Sequence, residues 1–240
     1  MSTTIATINI WGTFGSWPSR LPLLAAAVAA LGPTVLLVQE CENAEQLSQL
    51  ASTLGFPHAV AAAPDRESVA ILSSRRILTS AVAVMHCPDG PRFILCADVD
   101  RLGWIACTHL SLDRSSRMAQ LQRVLSCPTD GPAIVGGDLN ATVAEVLPLA
   151  RRLGWSVACD PSETTWPVDA AWFARGWTER LGNEPDFDVT PRRIDWVLGR
   201  QVHVLAHGVA DPGSDAAGRP GSDHRIVWAT FEADAHRSAR

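Results

Sequence analysis

Five β-rich segments follow one another between residues 58 and 108, with no helical stretch separating them. They occupy residues 58–62, 68–72, 81–85, 93–99 and 104–108. Strands in direct succession favour an α+β sandwich over a doubly wound parallel sheet, in which helices would alternate with them. Further strands are expected at 3–10, 35–38, 133–135, 194–198, 202–209 and 226–231. Helices are expected at 21–31, stopped by Gly32-Pro33, at 44–54, ended by Gly55, at 113–125 and at 142–153. In the third of these, Met118, Leu121 and Leu125 share one face.

A chain of 240 residues buries roughly 70% of its unfolded surface and needs no staples. No Pro/Gly/Ser linker divides it, and no repeat has solenoid spacing. A single domain over 1–233 is therefore expected, with a polar tail at 234–240. Residues 211–221, rich in Gly, Pro, Ser and Asp, form the clearest loop.

The net charge is -5, and all 20 basic residues are Arg. That argues against a broad basic surface for nucleic acid. It leaves a nuclease open, because a bound cation can supply positive charge locally. None of the six cysteines forms a C-x-x-C pair. Several lie in apolar runs and read as buried free thiols, which suits a reducing cytoplasm. The Ala-rich stretch 21–31 imitates a signal-peptide core, but it contains Pro22 and falls well short of the ~20 residues that span a bilayer. A cytoplasmic protein is expected, with no membrane contact and no obligate protein partner.

Six short polar constellations fall where these apolar runs end. They are Ile8-Asn9-Ile10, Val38-Gln39-Glu40, Thr108-His109-Leu110, Gly136-Gly137-Asp138-Leu139-Asn140, Arg193-Ile194-Asp195-Trp196 and Ser222-Asp223-His224. Each alone has an ordinary explanation. A Glu after a strand is usually a solvated end, and Gly-Gly-Asp-x-Asn is usually a turn. Asp195 is harder to dismiss, because it sits in an apolar run and buried carboxylates need partners. Taken together, the six offer a complete chemistry. Glu40, Asn9 and Asp223 carry the hard oxygens that Mg²⁺ or Mn²⁺ prefers. His224 and Asp195 can form an imidazole–carboxylate pair. Asp138 can act as a base on water, with Asn140 donating to a substrate oxygen. A metal, a base and several donors suit attack of water on phosphorus.

The order and identity of these motifs resemble the endonuclease/exonuclease/phosphatase superfamily, the deoxyribonuclease-I-like fold. The likeness runs from about residue 4 to 228, and includes Ser68-Val-Ala-Ile-Leu-Ser73 and Arg117 with Gln120 after the His109 motif. It implies a four-layered α/β/β/α sandwich with two central, mostly antiparallel sheets flanked by helices. It also implies Glu40 as principal metal ligand, with Asn9 beside the metal and phosphate and Asp223 as a further ligand. His109 and Asn140 would contact the scissile phosphate, and Asp138 would activate or orient the attacking water. Asp195 would hold His224, which would stabilise the phosphoryl oxygens or act as acid or base.

The expected activity is a Mg²⁺- or Mn²⁺-dependent phosphoester hydrolase of the phosphodiesterase or nuclease class. The alternative is a phosphomonoesterase for small molecules. The substrate would be a nucleic acid, a nucleotide or a small phosphorylated metabolite. Abasic-site nucleases of the family use an active-site Tyr, and this chain has none. A calcineurin-like phosphatase would want G-D-x-x-D and G-N-H-[DE], where this chain has Gly137-Asp138-Leu139-Asn140 and Ser222-Asp223-His224. A non-catalytic scaffold would be expected to lose the charged cleft residues, and they are all present. Trp166 and Arg193 are the expected substrate contacts. Trp172, Phe173 and Trp177 read either as a lid or as one face of a short helix over 169–181 packed on the core.

Overall fold

The computed structural model describes residues 2–127, 131–185 and 187–233, so the expected tail at 234–240 lies outside the described residues. The chain begins with β1 (Ser2–Asn9), α1 (Trp17–Leu31), β2 (Val35–Cys41), α2 (Ala44–Leu54), β3 (His58–Ala61) and β4 (Ser68–Ser73). The middle supplies β5 (Ile77–Met85), β6 (Arg92–Val99), β7 (Gly103–His109), α3 (Arg114–Leu125), β8 (Ala133–Asp138) and α4 (Val143–Arg152). It ends with β9 (Ser156–Val157), α5 (Ala170–Leu181), β10 (Asp195–Arg200), β11 (Val202–Ala210) and β12 (Ile226–Ala233).

These strands form two six-stranded sheets, ordered β11-β12-β1-β2-β4-β3 and β5-β6-β7-β8-β10-β9. Each sheet has one parallel pair, β1–β2 and β7–β8. The connections within those pairs are α1 and α3, as a parallel return requires. The remaining neighbours are antiparallel. The layers follow from side-chain alternation. On β2, Val35 and Leu37 face the other sheet, while Leu36 and Val38 face α1 and α2. On β8, Ile134 points between the sheets, and Val135 points toward α3 and α4. Strands covered on both faces read as unbroken apolar runs, which is why Val35-Leu-Leu-Val38 shows no alternation. The result is helix, sheet, sheet, helix.

Local chemistry fixes the helix ends. Asn43 and Asp113 accept the backbone N–H groups of Gln46 and Ser116, and Thr142 and Glu145 form a capping box. Gly32 and Gly55 close α1 and α2 in the left-handed conformation.

Four boundaries depart from the sequence reading. Helix α1 begins at Trp17, because Pro18 fits the first turn, where no N–H is required. Strand β5 begins at Ile77, ahead of a bulge between Ile77 and Thr79. The two-residue β9 is too short to show a period. Strand β8 runs on through Gly136-Gly137-Asp138 rather than turning there. The glycines serve close approach. At Gly137, with φ +146°, a Cβ would lie 1.9 Å from the Thr108 carbonyl oxygen of β7.

Cys41 and Cys107 are buried free thiols, whereas Cys96 is half-buried and Cys127 exposed. Among the described residues, no helix is long and apolar enough to cross a membrane.

Candidate active site

The parallel pairs deliver their C-terminal ends to one end of the sandwich, where β10 and β12 begin. Register then sets the neighbours. Asp138 stands opposite His109 across the β7–β8 pair and opposite Asp195 across the β8–β10 pair. From the other sheet come Asn9 at the end of β1, Glu40 on β2, and Asp223-His224 just before β12. The structure therefore gathers His109, Asp138, Asn140, Asp195, His224, Glu40, Asn9 and Asp223 around one cleft.

His224 is the centre of this group. Its Nδ1 lies 2.9 and 3.1 Å from the two Asp195 carboxylate oxygens. Its Nε2 lies 3.7 Å from Asp138 Oδ2 and 3.9 Å from Asp223 Oδ2. Burial alone would lower its pKa, but Asp195, Asp223 and Asp138 outweigh it and push the imidazolium up to about 10. His109 behaves oppositely. Burial, with Arg92 and His224 nearby, holds it well below the usual histidine value, so it is neutral while its Nε2 sits 3.4 Å from Asp138 Oδ2.

Asp138, Asp195 and Asp223 are buried, and Glu40 is half-buried. Burial, and then the charges of Asp223 and Glu67, push Glu40 up to about 8, against the hydrogen bond from Asn9. Burial and Asp195 push Asp138 up to about 6. Burial raises Asp223 as well, against His224 and Trp166. Four carboxyl groups thus crowd one imidazolium, and their negative charge is incompletely compensated. A hard divalent cation fits such an oxygen-rich donor set. Two neighbouring sets of residues offer donors for one. Oxygen or nitrogen atoms of Asp138, Asp195 and His224 lie within 4.8 Å of one another. In that set, however, Asp195 and His224 already satisfy each other. Glu40 Oε2 accepts no hydrogen bond among the described residues, and Asp223 Oδ1 takes only the long 3.4 Å bond from Ser222 Oγ, so these two carboxylates offer a second set of hard oxygens.

Asn9 is turned differently from expectation. The Trp11 N–H donates to Asn9 Oδ1 at 2.9 Å. That leaves Nδ2 to donate to Glu40 Oε1 at 2.8 Å and Asp138 Oδ2 at 3.2 Å. Asn9 bridges the carboxylates of the two sheets as a donor, with its Oδ1 already accepting the Trp11 N–H. Asn140 donates its backbone N–H to Asp138 Oδ1 and its Nδ2 to the Leu110 carbonyl, each at 2.9 Å. Glu40, Trp11 and Asn140 all have positive φ (56°, 57° and 48°). Backbone strain of this kind gathers at sites the surrounding fold must over-determine. For Glu40, the bulge between Val38 and Cys41 provides the turn.

The two expected substrate contacts also differ. Arg193 is buried, its Nη1 donates to the Asp160 carbonyl at 3.2 Å, and its guanidinium lies 5.1 Å from the Trp196 ring centroid. It is a packing residue. Trp166 is buried, and its Nε1–H donates to Asp223 Oδ2 at 2.9 Å. It holds a carboxylate rather than offering an open face. Around it, Trp11, Phe14, Trp172, Phe173, Trp177 and Phe187 form an aromatic cluster separate from the sheet cores. Helix α5 is packed into that cluster, with Phe173 buried and Trp172 and Trp177 half-buried.

Three supporting residues escaped the sequence reading. Thr165 Oγ1 accepts the N–H groups of Ile194 and Asp195 at 3.0 and 3.1 Å. Ser222 Oγ donates to the Asn9 carbonyl at 2.6 Å and accepts the His224 N–H at 3.2 Å. Arg20 donates to the carbonyls of Ile10, Trp11, Gly12 and Gly221, tying the Asn9 segment to the Asp223 segment. Ser222 sits inside a motif already singled out, and Thr165 stands beside Trp166. Arg20 carried no sequence signal.

Among solved structures, the chain is similar to D. rerio TDP2 complexed with single-strand DNA product (21% identity, TM-score 0.76, covering 97% of this chain and 99% of that one). It is similar to an endonuclease/exonuclease/phosphatase family protein of Bacteroides thetaiotaomicron (17%, 0.75, 100% and 98%). A third likeness is to the endonuclease/exonuclease/phosphatase of Beutenbergia cavernae DSM 12333 (19%, 0.67, 97% and 72%). No curated protein sequence matches it significantly. The model of the Endonuclease/Exonuclease/phosphatase family matches residues 6–224, a span that holds every cleft residue described above, and the chain belongs to that family.

Proposed function

We propose that the chain is a divalent-cation-dependent phosphodiesterase or nuclease in which water attacks phosphorus in the cleft. Family membership supports a hydrolase acting on phosphoester bonds. The observation that carries the finer reading is the His224–Asp195 pair, bonded through Nδ1 at 2.9 Å, with His224 Nε2 left to face the cleft. Asp195 fixes the ring, and the imidazolium places a positive N–H where phosphoryl oxygens gain charge. Asp138, pushed up to about 6, is ionised at neutral pH and orients or deprotonates the attacking water. Neutral His109 and the remaining Nδ2 hydrogen of Asn140 bind non-bridging oxygens. Glu40 and Asp223 hold the cation, and Asn9 sets the Glu40 carboxylate. A bound Mg²⁺ or Mn²⁺ supplies charge neutralisation on the phosphoryl group.

A nucleic acid or related phosphodiester is the favoured substrate class, in keeping with the DNA product held by the similar TDP2 structure. We read the span up to residue 233 as one domain, because both sheets contribute to one cleft. The free thiols support a reducing compartment such as the cytoplasm.

The test is hydrolysis of bis-p-nitrophenyl phosphate, p-nitrophenyl phosphate, plasmid DNA and single-stranded RNA with Mg²⁺, Mn²⁺ or EDTA. Metal-dependent cleavage of diesters supports the proposal. Release from monoesters alone makes the protein a phosphatase. No cleavage and no metal bound in a calorimeter would overturn the enzymatic reading.

A further inference from the structure

Beside Arg20, which ties the Asn9 and Asp223 segments together, lies a cavity of about 570 Å³. It opens between the first turn of α1, helix α5 and the 211–221 loop. Its walls are fixed by close packing. A Cβ at Gly176 of α5 would meet Trp11 Cη2 at 2.6 Å, and one at Gly213, with φ +79°, would meet the Leu23 carbonyl oxygen at 2.9 Å. The loop is braced internally. Asp215 Oδ1 accepts the N–H groups of Ala217 and Arg219 at 2.9 Å, and Arg219 Nε donates to Asp215 Oδ2 at 2.7 Å.

The polar lining is basic. Arg20, 4% exposed, forms part of the wall, and its Nε has no hydrogen-bond partner among the described residues. Arg175 projects from α5, is exposed, and makes no ion pair or hydrogen bond among the described residues. Ser16, the N-cap of α1, makes no side-chain bond to a backbone N–H of its helix; its Oγ accepts from Ser19 Oγ at 3.1 Å, and the two hydroxyls sit at the positive end of the helix dipole. Two acids share the lining, Glu179 and Asp215, and Asp215 is neutralised by Arg219. Three guanidinium groups against two carboxylates leave the cavity net positive, in a chain whose net charge is -5.

We propose that this cavity is an anion subsite, and that it takes a phosphate group of the substrate other than the one being cleaved. The inference rests on the phosphodiesterase reading and narrows it. Arg20 joins the subsite to the catalytic segments, since it holds the carbonyls of Ile10 and Gly221, one residue beyond Asn9 and one before Ser222-Asp223. Arg175 forms the direct contact, and its planar fork suits phosphate. A monophosphate metabolite has no second phosphate to offer. A nucleic-acid strand does, so the preferred substrate is a phosphodiester chain.

Trp11 and Trp172 line the same cavity, so their fluorescence reports its occupancy. The full chain in EDTA is titrated with a single-stranded oligonucleotide and, separately, with inorganic phosphate. With Arg175→Ala and Arg175→Glu, the oligonucleotide Kd is expected to rise about tenfold or more, and its log–log salt slope to fall by about one for the lost phosphate contact. In steady state, KM for the oligonucleotide rises about tenfold relative to that for bis-p-nitrophenyl phosphate. Unchanged oligonucleotide affinity in both variants overturns the proposal. An Arg175-dependent response to inorganic phosphate joined to unchanged oligonucleotide affinity marks a site for the free ion and overturns it equally. A catalytically silent protein that still binds oligonucleotide through Arg175 keeps the subsite and sinks the catalytic reading instead.

Discussion

The indole N–H of Trp166 donates to Asp223 Oδ2 at 2.9 Å, across 57 residues of sequence. The Val168 N–H meanwhile donates to the Asp223 carbonyl at 2.7 Å. A short strap thereby fixes both the main chain and the side chain of one carboxylate. A hydrogen bond to a charged group contributes roughly 1.5–3 kcal/mol. Trp166→Phe keeps an aromatic ring against Phe173 (5.2 Å between centroids in the parent) while it removes the donor and part of the buried ring volume. We expect kcat to fall about 10- to 100-fold, with Mg²⁺ affinity weakened and the melting temperature lowered by only a few degrees. Steady-state kinetics and calorimetric Mg²⁺ titration check it. Unchanged kcat would mean that Asp223 needs no fixing by the strap.

Glu40 accepts from Asn9 Nδ2 at 2.8 Å and is pushed up to about 8 by burial and by Asp223. Removing its charge removes a repulsion from the metal-free fold. Glu40→Gln should therefore leave the melting temperature equal or higher, while activity falls by about three orders of magnitude or more. Differential scanning fluorimetry and bis-p-nitrophenyl phosphate turnover test this together. Retained activity at limiting Mg²⁺ would remove Glu40 from the metal site.

The legible part of the site was its acids and imidazoles, because each ends an apolar run. A charged residue after Val35-Leu-Leu-Val38 or inside Ile194-Asp195-Trp196 stands out against its neighbours. The illegible part was direction and bracing. Asn9 looks the same in sequence whether its oxygen or its nitrogen faces the carboxylates, and the Trp11 N–H decides. Thr165 reaches Asp195 over 30 residues and Arg20 reaches Gly221 over 201, contacts that no local pattern encodes. The same holds for the fold. Period and caps marked α2, whereas the Gly136-Gly137 pair imitated a turn because its role depends on strands β7 and β10 lying alongside.

Gly137 illustrates how strictly that neighbourhood is set. A Cβ there would fall 1.9 Å from the Thr108 carbonyl oxygen, at φ +146°. Neither the β7 backbone nor the φ angle can yield without separating His109 from Asp138. Gly137→Ala should cost more than about 4 kcal/mol, in the range reserved for named backbone defects, and give insoluble or unfolded protein. A soluble variant with near-native melting would show that β7 can shift.

Arg193 separates a structural arginine from a functional one. Its guanidinium is spent on the Asp160 carbonyl, on Glu163 at 3.4 Å and on the Trp196 face. Arg193→Ala should lower stability by about 2–4 kcal/mol, through lost packing and unpaired buried acceptors. KM for any phosphodiester should stay within about twofold of the parent, well inside the tenfold that 1.4 kcal/mol represents. Urea denaturation with parallel kinetics checks both halves, and a large KM effect at intact stability would return Arg193 to the substrate.

The His224–Asp195 pair predicts a pH trend with a definite sign. Burial opposes protonation, but Asp195 and Asp223 raise the folded-state pKa from 6.5 to about 10. Between those values the folded chain binds a proton that the unfolded chain does not, so stability falls as pH rises through that window. Glu40, raised from 4.5 to about 8, acts in the same direction at lower pH. Metal-free protein should therefore melt at progressively lower temperature from about pH 6 to pH 10. Saturating Mg²⁺ should flatten the lower part of the trend, because cation binding favours ionised Glu40. In His224→Ala, the part of the slope above pH 8 should shrink, and turnover should fall by several orders of magnitude while substrate affinity stays near that of the parent. A parent protein whose metal-free melting temperature rises between pH 7 and 9 would refute the protonated His224, and with it the charged donor assigned to the phosphoryl oxygens.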